Sequence, residues 1–130
     1  MTFGSTAMTP EAAMEQINTV CAHAWMVRTF LKHADEIQDD ADMLAVPRMI
    51  FDFVRALEPS YQRKDADEYL RRARGKLGKL KRVADYFASE YANVSSHTNF
   101  EMAARSLAAC VAEIEEVLAA ATKNMQRPFE

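Results

Sequence analysis

Glycine and proline are scarce, three and four in 130 residues, which excludes a loop-rich, collagenous or low-complexity chain. No stretch alternates apolar and polar residues in the way a half-buried strand does. No apolar run approaches the ~18 residues that mark a membrane span, so no membrane partner is expected. The first eight residues, MTFGSTAM, lack the basic start and apolar centre of a secretory signal. The cytoplasm is therefore the expected compartment. Only two cysteines occur, Cys21 and Cys110, and there they are expected to be reduced core thiols. There is no Gly-rich phosphate loop, Gly-x-Ser-x-Gly elbow, Cys-x-x-Cys pair or Glu-x-x-His motif. No catalytic residue, metal ligand set or cofactor is expected, and the chain reads as non-enzymatic.

What is present is helical periodicity from end to end. One domain is expected over 1–130, with short tails at 1–8 and 126–130. A first helix over 10–38 starts on Thr9 as N-cap and Pro10 at the first position. A second spans 40–57, with Asp39, Asp40 and Asp42 near its positive end and Glu58-Pro59 ending it. A third, over 65–93, opens on Asp65-Ala66-Asp67-Glu68. A fourth, over 98–124, opens on Thr98-Asn99-Phe100-Glu101, a capping box. Short connections make sequential helices antiparallel. The predicted fold is an all-α, antiparallel up-down-up-down four-helix bundle.

The apolar stripes agree with it at 100° per residue. They are Ile17, Val20, Ala24, Val27, Leu31 and Ala34 on the first helix, and Met43, Val46, Ile50, Val54 and Leu57 on the second. The third carries Tyr69, Ala73, Leu77, Leu80, Ala84, Phe87 and Tyr91. The fourth carries Phe100, Ala103, Leu107, Cys110, Val111, Ile114, Leu118 and Ala121. On the first helix, Met14 and Trp25 lie about 130–150° from the main stripe. That helix, about 43 Å long as read, outreaches the second at about 27 Å. Met14 and Trp25 are therefore the candidate oligomer face, and a dimer is expected. In the alternative, Trp25 only covers a neighbouring helix.

The strongest signal is electrostatic. Nine of the sixteen Lys and Arg residues fall between Arg63 and Arg82, with three acids, giving +6. The remainder holds seven bases against sixteen acids, or −9. Arg71, Arg72, Arg74, Lys76, Lys79, Lys81 and Arg82 spread over the side of the third helix opposite its apolar stripe. Gly75, Gly78 and Tyr86 are read onto the same side, and Glu113, Glu115 and Glu116 point outward from the fourth helix. A basic strip on an acidic body recruits an acidic protein, a second copy or a phosphate backbone. A dedicated nucleic-acid binder is more often basic overall. The expected function is an interaction or scaffold module that self-associates. The alternative is a nucleic-acid-associated accessory protein using the basic face.

The acids Asp35, Glu36, Asp39, Asp40 and Asp42, near His33, read as capping and solubility rather than metal binding. His23 is expected at the core boundary, and His97 as a helper in capping the fourth helix. Arg28 to His33 reads Arg-x4-His and resembles the catalytic motif of the HEPN ribonucleases, which are small all-helical domains. The resemblance implies a ribonuclease served by Arg28 and His33. Thr29 stands where that family usually has Asn, Asp or His, and five helical residues turn the two side chains about 140° apart. No family membership is read from it.

Overall fold

The computed structural model describes residues 8–125, with side chains described through residue 121. The tail expected at 126–130 and most of that at 1–8 lie outside the described residues. Met8, counted with the tail, packs partly buried against the core. Four α-helices follow in order: α1 (Pro10–Lys32), α2 (Ala41–Gln62), α3 (Ala66–Val94) and α4 (Thr98–Met125). A short 3-10 turn, Asp35–Ile37, lies between α1 and α2, and no strand occurs among the described residues.

α1 starts where the sequence places it. Thr9 Oγ1 accepts from the Ala12 N–H at 3.1 Å, and Pro10 takes the first turn. It stops at Lys32, short of the expected residue 38. Gln38 is the reason: its Nε2 donates to the carbonyls of Lys32 at 3.0 Å and Ala34 at 2.7 Å. Those bonds satisfy acceptors that a helix end leaves open. The turn between them sets Ile37 fully inside the core.

α2 starts on Asp40, whose Oδ1 accepts from the Met43 N–H at 3.0 Å. It runs five residues beyond the expected end at Leu57, with Pro47 and Pro59 inside it. A proline removes its own donor and leaves its carbonyl free to accept, and the Pro59 carbonyl takes the Arg63 N–H at 3.1 Å. The real stop is a Schellman turn. The Lys64 N–H donates to Tyr61 O at 3.0 Å, and the Asp65 N–H donates to Ser60 O at 2.9 Å. Lys64 has φ 57°, a left-handed conformation usually left to glycine. Its ammonium is held 4.3 Å from the Tyr61 ring centre and 3.9 Å from Glu15.

Asp65 also caps α3, with Oδ1 accepting from the Glu68 N–H at 3.1 Å. At α4 the cap is His97 rather than Thr98. Its Nδ1 accepts from the Asn99 N–H at 3.1 Å, and its carbonyl accepts from the Phe100 N–H at 3.0 Å. Glu101, expected to close a capping box, lies 4.0 Å from Arg105 instead.

α1 packs on α2 and α4, α3 packs on the same two helices, and α1 touches α3 across the core. Glu15 accepts from Tyr61 Oη at 2.9 Å, and Trp25 lies on Phe51 at 5.7 Å between ring centres. On the other side of α1, Gln16 Nε2 donates to Glu113 at 3.3 Å, and Phe30 meets Phe100 edge-on at 5.2 Å.

The predicted stripes are buried, except that Val54, Leu77 and Tyr91 are only half-buried. Met14, Phe53, Leu70 and Val83, left off the stripes, are also inside. Each helix of such a ring meets two neighbours, so its buried arc is wider than one row of side chains. α1 and α2 have 23 and 22 residues. At about 34 Å each they match, and the expected overhang of the first helix disappears.

Both cysteines are free and buried. Burial pushes the Cys21 thiol up to about 11, and it also raises Cys110. Tyr69 lies fully buried beside Cys21, with its phenol raised by burial first and by that thiol next. Among the described residues, Tyr69 Oη and Ser60 Oγ are buried without a hydrogen-bond partner.

Candidate interaction faces

The outer side of α3 carries the basic face, and its cations divide into held and open ones. Arg71 and Arg72 both reach the Glu68 carboxylate, at 2.7 and 2.8 Å. Hydrogen bonds from Arg71 hold that carboxyl down to about 2. One acid thus fixes two guanidinium groups in the outer layer. Arg74 and Lys81 turn toward α4, Arg74 donating to Leu118 O at 3.4 Å and Lys81 lying 3.7 Å from Glu115. Lys76 and Lys79 turn the other way, over a cleft shared with Met49, Asp52 and Phe53 of α2. No carboxylate of the described residues lies within 4.0 Å of Lys76, Lys79 or Arg82. Tyr86, read as outward, is half-buried against the core, and its phenol is raised by desolvation and then by Asp40 and Asp42.

Gly75 and Gly78 lie exposed among these cations. A Cβ at Gly75 meets nothing within 4 Å, and one at Gly78 meets only Arg82 Nη1 at 3.6 Å. The fold itself does not require either glycine. Gly75→Ala is expected to raise stability by about 0.5–1 kcal/mol, the ordinary gain inside a helix. Thermal denaturation checks this, and a loss of stability would contradict it.

The exposed side of α4 is chemically opposite. Ala108, Ala109, Ala112 and Ala119 are exposed there, along with Glu113, Glu115 and Glu116. Lys81–Glu115 and Arg74–Leu118 set this acidic stretch level with the centre of the basic one.

The candidate oligomer face on α1 is corrected at one residue. Met14 is 2 % exposed and lies in the core, because α1 buries a wider arc than its main stripe. Trp25 is half-buried on Phe51 of α2. The large apolar side chain that α1 does expose, among the described residues, is Met26, at 66 %. His23, expected at the core boundary, is exposed.

A feature the sequence reading missed lies between α1 and α2. Arg28 stands 4.3 Å from the Trp25 ring centre and 5.2 Å from that of Phe51. It lines a groove of about 450 Å³ with Lys32, Leu44, Pro47, Arg48, Phe51 and Asp52. The i, i+4 spacing of Arg28 and Lys32 was visible, but its pairing with Arg48 depends on how α1 meets α2. His33 is exposed at the C-cap of α1. Among the described residues, no group of three or more His, Cys, Asp or Glu side chains could hold a metal ion, and no helix is long and apolar enough to cross a membrane. The chain matches no known protein family, no curated protein and no solved structure.

Proposed function

We propose that this chain is a non-enzymatic, cytoplasmic interaction module that pairs with a second copy of itself. Its scaffold is an antiparallel up-down-up-down four-helix bundle. Contact order along the helices supports that topology: Glu15 meets Tyr61 while Trp25 meets Phe51, and Gln16 meets Glu113 while Phe30 meets Phe100. Partner numbers fall as α1 rises.

One observation carries the functional reading. Two neighbouring helices, α3 and α4, present opposite charges at the same level, and among the described residues Lys76, Lys79 and Arg82 of α3 have no carboxylate within 4.0 Å. A two-fold axis running along the bundle between them sets α3 of one copy against α4 of the other, twice. Such an interface is isologous and closes on itself. Exposed glycines on one face and alanines on the other let the helices approach closely, and the charges fix the register and discourage wrong partners.

Sedimentation equilibrium at about 100 μM, a weak-association range, tests this. The wild type should exceed its monomer mass of 14.7 kDa. A variant with Arg71→Glu, Lys79→Glu and Arg82→Glu should return to that mass with its helical spectrum intact. A wild-type monomer, or a variant still paired, removes the proposal.

The open cations Lys76, Lys79 and Arg82 favour a second reading, in which α3 follows a phosphate backbone of nucleic acid. Its mark is retention on a polyanion column that falls steeply with salt, because bound phosphates release counterions.

A further inference from the structure

We infer that the groove between α1 and α2 binds an organic phosphate: two or three negative charges carried on an apolar or aromatic body. Three cations converge on it. Arg28 and Lys32 stand one turn apart on α1, and Arg48 faces them from α2. Asp52 is the only acid in the lining. No carboxylate of the described residues lies within 4.0 Å of Arg28, Lys32 or Arg48. Like charges gathered this way repel one another, and a multivalent anion between them reverses the sign of that interaction.

Arg28 is the decisive group. It is half-buried, and its guanidinium is held by two rings, Trp25 and Phe51, instead of by an acid. Contact with two rings restricts the guanidinium before any ligand arrives, so less side-chain freedom remains to be lost on binding. A planar guanidinium with open donors matches phosphate oxygens in pairs. Lys32 and Arg48 add charge without demanding one geometry.

The floor supplies the second half of the specificity. Leu44, Pro47 and Phe51 form an apolar row along α2, at spacings of three and four residues. A volume of about 450 Å³ is the size of a small-molecule site rather than of a helix-docking groove. A bare inorganic anion leaves that row uncovered, whereas a phosphate ester covers it with its carrier. The groove belongs to the α1–α2 side of the bundle, so the inference stands or falls independently of pairing through α3 and α4.

Trp25 is the only tryptophan in the chain and lies against Arg28, so its fluorescence reads the site directly. The full-length chain is titrated with magnesium-free ADP, pyrophosphate and adenosine. ADP is expected to change the emission saturably below about 1 mM, with pyrophosphate at least threefold weaker and adenosine silent. Arg48→Glu, an exposed substitution, should weaken ADP at least tenfold, while Arg105→Glu on α4, exposed and away from the groove, leaves it unchanged. No saturable response to ADP up to about 1 mM overturns the inference, as does an affinity that Arg48→Glu leaves intact. Pyrophosphate binding as tightly as ADP overturns the part played by the apolar floor. Failure here with an intact dimer, or the reverse, tells the two proposals apart.

Discussion

Leu107→Ala is expected to lower the unfolding free energy by about 2–5 kcal/mol, the range for a leucine truncated in a well-packed core. Leu107 is fully buried on α4, within the cluster that contains Ile17, Leu80 and Phe87. Removing its isobutyl end takes apolar surface out of burial and leaves a void that the surrounding helices close only in part. Denaturant unfolding gives the value directly, with the slope unchanged if the native state keeps its compactness. Leu77→Ala serves as the internal comparison. It lies on a predicted stripe but is half-buried, so its loss should be clearly smaller. A cost below about 1 kcal/mol at Leu107, or equal costs at both sites, would contradict the packing described.

The second large effect is alkaline. Cys21 titrates near 9 when unfolded and is pushed up to about 11 by burial in the fold. Its folded pKa lies above its unfolded one, so its contribution is complete below pH ~9 and is lost as pH rises toward ~11. Two units correspond to about 2–3 kcal/mol. Tyr69 and Cys110 are raised in the same direction, chiefly by the same burial, so they steepen the decline. The exposed lysine pairs contribute little by comparison. Chemical denaturation at stepped pH should show stability falling through this window, with Cys21→Ala giving a shallower decline. A flat profile between pH ~8 and ~11 would show that these groups are not buried in neutral form.

The apolar rows were legible because burial repeats with the helical period, so Ile17, Leu31, Leu80 and Leu107 needed no tertiary information. Helix ends were less legible where the stop is made at a distance. Gln38 caps α1 by reaching back six residues, and no single residue at 32 announces that end. Lys64 was unreadable for a different cause: the αL position of a Schellman turn is normally signalled by glycine, and here a lysine fills it with help from Tyr61 and Glu15. Glu58-Pro59 looked like a stop but stands inside α2: the ring costs one donor and crowds the carbonyl of Arg55, yet the Pro59 carbonyl still accepts from the Arg63 N–H and the helix runs on. Among the faces, the charge of α3 was legible by counting. Which of its cations are held and which are open was not, since that depends on Glu68 being shared and on Glu115 standing across from Lys81. The α1–α2 groove drew one cation from a run of residues far from the other two, so only the packed helices bring them together.

Asp65 has a consequence for how the molecule opens. Its N–H closes the last turn of α2, and its carboxylate closes the first turn of α3. The two turns share one residue and have no slack between them. Fraying of either therefore withdraws a bond from the other. In amide exchange, the end of α2 and the start of α3 are expected to open as one unit rather than as two loose ends. Buried beside that joint are the hydroxyls of Ser60 and Tyr69, which have no hydrogen-bond partner among the described residues. The shared aspartate makes this corner a single latch on the core.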